Sequence, residues 1–219
     1  MSQTQKLQRP SLYVQFGCGR DAPEGWLNFD NSPALRLSRS RVLGPPARRA
    51  GAVSAWPAGV RYGDVVKGLP VPFGSCAGIY SSHVIEHLTL PELRRALVHV
   101  HDLLVHGGVF RLVTPDFQGM VTGYLRRDDP DALYLFMKRS GFGSAEPKGG
   151  VRSRLRGLLG RDGHTWLWDF AALSSELTRA GFVQVRRAEY GDSEDEKFAE
   201  VERPSRWHGA LGIECKKVG

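Results

Sequence analysis

The stretch "GIYSSHVIEHLTLPELRRALVHVHDLLVHGGVFRLVTPD", Gly78 to Asp116, decides the fold. It opens on a short β-prone run, "GIYSS", and closes on another, "VFRLVTPD" (Val109 to Asp116), with one strong helix between them. Thr89 is placed as an N-cap with Glu92 three residues on, a capping box, and Pro91 falls in the first turn, where its missing N–H is not needed. Leu93, Leu97, Val100 and Leu104 follow at helical spacing on one face, and "HGG" (His106 to Gly108) predicts the stop.

The same stretch contains "HVIEH" (His83 to His87), which also spells H-x-x-E-H, the inverted zinc-peptidase pattern. Peptidase chemistry needs that motif well inside a helix, together with a distant third ligand. Here the motif directly follows a strand and meets Pro91 soon after His87, leaving room for a turn or two. It is read as the turn after the fourth strand, with Glu86 and His87 bracing it, and no metal is assigned.

Outward from this core, "SLYVQF" (Ser11 to Phe16) is a buried strand ending in "GCG". "WLNFD" (Trp26 to Asp30) is a second strand, and the link between the two is too short for a usual crossover helix. "VRYGD" (Val60 to Asp64) is a third. A capped helix runs from Asp169 through Phe170, Leu173, Leu177 and Ala180 to Gly181, before the last two strands, "FVQVRRAEY" and "ALGIECKKV". Residues 33–58 show helical potential around Ala34 to Val42, and the Gly- and Arg-rich residues 117–163 read as helices plus a loop over the strand ends. Alternating strands and helices predict an open, mainly parallel α/β sheet covered on both faces.

In such sheets ligands bind beyond the carboxyl ends of the strands, where the topology reverses. That rule gathers Gly17 to Gly19, Asp30, Asp64, Ser81 to His83 and Thr114 to Asp116 into one place. The "GCG" turn lets backbone approach a ligand, although a tight turn before any loop has the same spelling. A dinucleotide fingerprint fails: Ala22 stands where its third glycine belongs, and no helix pattern follows. A carboxylate at Asp30 can accept both hydroxyls of a ribose, or simply form the turn in "FDNSP". Asp64 can accept from an adenine amino group, with "KGLPVPF" walling the base, and is equally at home as a turn residue.

Taken in order, "VQFGCG", "GWLNFD", "GDVVKGLPVPF", "IYSSHVIEHL", "LLVHGGVFRLVTPD" and "HTWLWDFAALSSELTRAGF" span nearly the whole chain, and the set is far more specific than any member. It resembles the class I S-adenosylmethionine-dependent methyltransferases, and among them a small methyltransferase-like branch associated with sugar or cell-surface polysaccharide pathways. The resemblance implies a Rossmann-like seven-stranded sheet, mainly parallel with the last strand antiparallel and helices on both faces, matching the strands read above. It implies one domain over residues 1–219, with variable segments at about 33–58 and 117–165 covering the site. S-adenosylmethionine is the cofactor it implies, with the methionine end at Phe16, Gly17, Cys18 and Gly19, ribose on Asp30, adenine near Asp64 and Val65, and Ser82 and His83 near the sulfonium.

The chain departs from the family in three places, one of them the turn "VHGG" (Val105 to Gly108) where "KPGG" is usual. Gln15 stands where an acid is usual in the first-strand motif, and "FGSCAG" before the fourth strand lacks two acids. An oxygen acceptor needs a base, and His83, His87 and His164 are the candidates, with Asp116 placed to orient a histidine or take the proton. Each also suits a structural role as a cap or a buried, hydrogen-bonded ring. Trp166 and Trp168 can stack on a sugar or pack a lid.

The expected activity is therefore methyl transfer to a hydroxyl of a small molecule or saccharide. A catalytically weak or inactive binding protein of the same fold is the alternative, favoured by Gln15 and the missing acids. RNA methylation is a third reading: the net charge is +7, with Arg36 to Arg61 free of acids and a second basic run from Lys148 to Arg161. It lacks a base-flipping tetrapeptide after the fourth strand, where the chain reads "SSHV". The acidic stretch "EYGDSEDEKFAEVE" (Glu189 to Glu202) reads as a solvated face. Three scattered cysteines, a polar N-terminus and no long apolar run predict a reduced, cytoplasmic protein without a membrane span. Oligomeric state is not readable from these features.

Overall fold

The computed structural model describes residues 11–143 and 163–218. The N-terminal "MSQTQKLQRP" and the second basic run therefore lie outside the described residues. Seven strands form one sheet in the order β3-β2-β1-β4-β5-β7-β6. They are β1 (Leu12–Phe16), β2 (Leu27–Asp30), β3 (Val60–Tyr62), β4 (Cys76–Ser82), β5 (Leu104–Pro115), β6 (Phe182–Ala188) and β7 (Ala210–Lys217). Strands β1 to β5 pair in parallel, and β7 runs antiparallel to both β5 and β6. Parallel strands β1 and β2 are joined by Gly17 to Trp26 without a helix, as the short link predicted.

Helices α1 (Pro33–Arg39) and α2 (Gly44–Arg49) fill the second link, and α3 (Leu90–Leu103) crosses from β4 to β5. Beyond β5 come α4 (Phe117–Leu125) and α5 (Ala132–Arg139), then α6 (Phe170–Arg179) and the short α7 (Pro204–Trp207). No helix among the described residues is long and apolar enough to cross a membrane.

Residues of α3 (Leu93, Ala96, Leu97, Val100, Leu103) and α6 (Leu173, Leu177) bury against Val14, Ile79, Phe110, Leu112 and Ile213 on one sheet face. Both predicted caps are present: Thr89 and Glu92 close the capping box, and Asp169 Oδ1 accepts from Ala172 N. Helix α3 ends one residue earlier than its periodicity predicts, because Leu104 is claimed by the sheet, opposite Cys76. The "HGG" turn then lies inside β5: Cys76 pairs with Leu104 but Gly78 with Val109, so Val105 to Gly108 bulge out of register.

The opposite face differs from the sequence expectation. Glu189 to Glu202 is not simply a solvated face: a 3-10 turn, Glu196–Glu200, carries Phe198 down onto Trp26, Tyr80 and Val113, and Val201 joins it. Alternation explains why this was hard to read, since apolar anchors are spaced singly among acids. One of those acids is itself buried. Arg111, 0% exposed in β5, binds Glu202 at 2.5 Å and Glu214 at 3.0 Å, and its guanidinium stacks 4.7 Å from the Trp207 ring centre. A charge buried in a sheet is tolerable only when so paired.

Candidate active site

The carboxyl ends of β1, β2, β3 and β4 open on a cleft of about 900 Å³. Gly17, Asp30, Asp64, His83 and His87 line it, so five of the twelve predicted site residues are brought together there. Phe16 is buried in the core against Phe110, Val65 is turned into the same core, and neither they nor Cys18, Gly19 or Ser82 line the cleft.

Asp30 holds the loop that follows β1. Its Oδ2 accepts from Gly19 N at 2.9 Å, and Oδ1 accepts from Ser32 N at 2.8 Å. Ser32 in turn caps α1 by accepting from Leu35 N. Cys18 packs with Leu35 and Val60, and its thiol is pushed up to about 12 by burial and by the neighbouring Asp30 carboxylate. It is therefore no nucleophile at neutral pH. Asp64 Oδ1 accepts from Val66 N at 3.0 Å, with Lys67 beside it.

Gly17 has a structural demand of its own. Its φ is +65°, and a Cβ there would sit 2.0 Å from Val84 Cγ2. Gly17→Ala is expected to cost about 1–2 kcal/mol for the left-handed backbone, plus the clash. Adding Val84→Ala should recover the clash but not the backbone cost; urea unfolding of the four members of the cycle measures both.

The turn after β4 concentrates the histidines. His83 adopts φ +55°, which is rare for a side chain of its size. Its backbone N–H is fixed on Val113 O, and Nε2 lies 2.9 Å from Arg206 O. Nδ1 stands 3.3 Å from Glu86 Oε1. Burial lowers the His83 pKa, but Glu86 and the Arg206 carbonyl outweigh it, and the net shift is upward. Both ring nitrogens thus face acceptors, which suits the protonated ring.

Ile85–His87 form a single 3-10 turn, far short of the helix that a zinc peptidase requires. Segment 163–166 docks onto it by backbone: Thr165 N and Trp166 N both donate to Glu86 O, and Thr165 Oγ1 donates to His87 O. That docking brings His164 beside His87, with ring centres 5.3 Å apart. His164 is not part of the cleft lining. Asp116 stands at the N-cap position of α4 without a side-chain cap bond, bridges through its backbone to Trp168, and does not line the cleft. Trp168 is buried in the core, so only Trp166, 41% exposed, can stack on a ligand.

No protein-family model and no curated protein sequence matches the chain. Solved structures do match in three dimensions. An S-adenosylmethionine-dependent methyltransferase from Methanosarcina mazei superposes with a TM-score of 0.52 at 16% identity, over 97% of this chain and 94% of its own. A Thermotoga maritima S-adenosylmethionine-dependent methyltransferase, described as a possible histamine N-methyltransferase, gives a TM-score of 0.49 at 16% identity, covering 96% and 84%. The chain has the class I methyltransferase fold.

In that methyltransferase fold, the donor set suits an adenosyl cofactor. Asp30 presents a carboxylate to the cleft, each oxygen keeping a second acceptor direction. A Cβ on Gly19 would meet open space. Several lining residues escape sequence reading: Val84, Arg36 above the Tyr62 ring at 5.3 Å, and Arg95. Arg95 is three residues beyond Glu92 on α3 and could have been placed beside it from helical spacing. Arg36 belongs to a segment with no motif to flag it.

Proposed function

We propose that the protein is an S-adenosylmethionine-dependent methyltransferase, one domain, acting on a hydroxyl of a small molecule or saccharide. The observation that carries this reading is the cleft at the ends of β1 to β4, where Asp30 and Asp64 lie on one side and His83 and His87 on the other. Asp30 holds the ribose, Gly17 to Gly19 the methionine end, and the Asp64–Val66 turn the adenine. The cofactor, when bound, supplies a methyl group on a sulfonium.

His87 is the base. A carbonyl can only accept, so the 3.0 Å contact of His87 Nδ1 with Gly163 O puts the ring proton on Nδ1 and the lone pair on Nε2. His83, with acceptors at both nitrogens, holds protons instead of taking one and sets the turn. The cofactor would supply the methyl group to the acceptor oxygen and leave as the neutral thioether, and His87 Nε2 would take the hydroxyl proton. Alignment by the cleft supplies most of the rate in such a displacement. A saccharide acceptor is supported by exposed Trp166 next to this turn, since a flat aromatic face suits a sugar ring. The three free, buried cysteines favour a cytoplasmic setting.

Release of S-adenosylhomocysteine across a panel of sugar and phenolic acceptors tests the activity. His87→Ala is expected to lower kcat by about 10²- to 10⁴-fold, with cofactor binding retained. Unchanged turnover in that variant would remove His87 from the chemistry.

A further inference from the structure

Glu86, His87 and His164 do more than brace a turn. Their ligating atoms all lie within 4.8 Å of one another, drawn from two segments far apart in sequence. Glu86 is 0% exposed, and its Oε1 faces His83 Nδ1 at ion-pair distance, 3.3 Å. Its Oε2 accepts from the Thr114 hydroxyl at 3.3 Å. A buried carboxylate is tolerated only beside hydrogen-bond donors or charge of opposite sign, and a divalent cation supplies such charge.

The two histidines are oriented alike. His164 Nδ1 is 2.8 Å from Ser140 O, as His87 Nδ1 is 3.0 Å from Gly163 O. Each ring therefore carries its proton on Nδ1 and its lone pair on Nε2. A backbone carbonyl on the far nitrogen is the arrangement that fixes a metal-ligating imidazole. Gly141 makes it attainable for His164: a Cβ there would stand 2.7 Å from Nδ1.

We infer that Glu86, His87 and His164 bind a divalent transition-metal cation at the edge of the cleft. Two imidazoles and one carboxylate favour zinc or cobalt over magnesium or calcium. Three protein ligands leave a position for an exogenous one, and His87 belongs to the cleft lining, so that position can serve the acceptor. The ligand set differs from that of the peptidase spelling, since His83 is committed to Arg206 and Glu86 is itself a ligand. Cation and proton compete for the same lone pair of His87. With the cation in place, an acceptor hydroxyl bound to it is acidified and gives its proton to water instead of to the ring. Only that last consequence rests on the methyl-transfer reading.

The test is calorimetric titration of the chelator-treated full chain with zinc chloride, without cofactor, repeated with cobalt chloride while visible absorption is recorded. The expected result is one cation per chain, with affinity lowered more than about 100-fold, beyond the usual cost of losing an outer partner, by His87→Ala and by His164→Ala. Glu86→Gln removes a buried charge and is read only alongside urea unfolding. His164 is partly exposed, so its variant keeps the test decisive. No heat from the folded wild type, or affinity unchanged in His164→Ala, would overturn the inference. Cofactor binding by the chelated protein is measured separately, so loss of one property does not conceal the other.

Discussion

Replacing Arg111 with Ala is expected to destabilise the protein by about 3–5 kcal/mol, the usual cost of breaking a buried ion pair by removing one partner. The guanidinium lies within the sheet and binds Glu202 through Nε, Glu214 and Asp192 through Nη1, and the Glu189 carbonyl through Nη2. Its removal takes the counter-ion from Glu202, which is also buried and keeps the Gly191 N–H on Oε2. Arg186 still partners Glu214 and Asp192, so those two acids are less affected. The midpoint of thermal unfolding should fall by roughly 6–20 °C for a chain of this size. Adding Glu202→Gln should restore part of the loss, since a neutral amide needs no counter-ion. A variant as stable as wild type would mean that the acidic cover does not depend on this residue.

Asp30→Ala is expected to abolish measurable cofactor binding while leaving the fold intact. Two hydrogen bonds that the carboxylate would accept from ribose hydroxyls contribute about 1.5–3 kcal/mol each, or at least roughly 100-fold in affinity. The same oxygens anchor Gly19 N and Ser32 N, so the loop after β1 and the start of α1 loosen together. Asp30→Asn keeps one acceptor oxygen and should fall between wild type and Ala. Circular dichroism separates loss of the site from loss of the fold.

Much of this organisation was legible because the sequence states it redundantly. Thr89, Pro91 and Glu92 announce α3 three ways, and the alternation of strands and helices leaves a parallel sheet as its simplest partner. Asp30, Asp64 and His83 were named from their place at strand ends and from the family resemblance, and all three line the cleft. What stayed hidden depended on contacts between distant segments. Phe198 and Val201 reach the core from inside an acidic run, where no period marks them. Glu86 and His87 meet His164 because residues 163–166 dock on them, through two backbone N–H groups on the Glu86 carbonyl and further bonds to His87. Motif spelling suggested a metal through His83 and His87; the geometry offers a different trio. Val65 illustrates the reach of a one-residue error, since it turns into the core while Val66 faces the cleft.

The most direct measurement of the central claim is calorimetric titration of the wild-type chain with S-adenosylhomocysteine, with Asp30→Ala as its control. Saturable heat at one ligand per chain, absent from the folded Asp30→Ala protein, is the predicted result. A wild-type protein that gives no heat, or an Asp30→Ala protein that binds equally well, would contradict it.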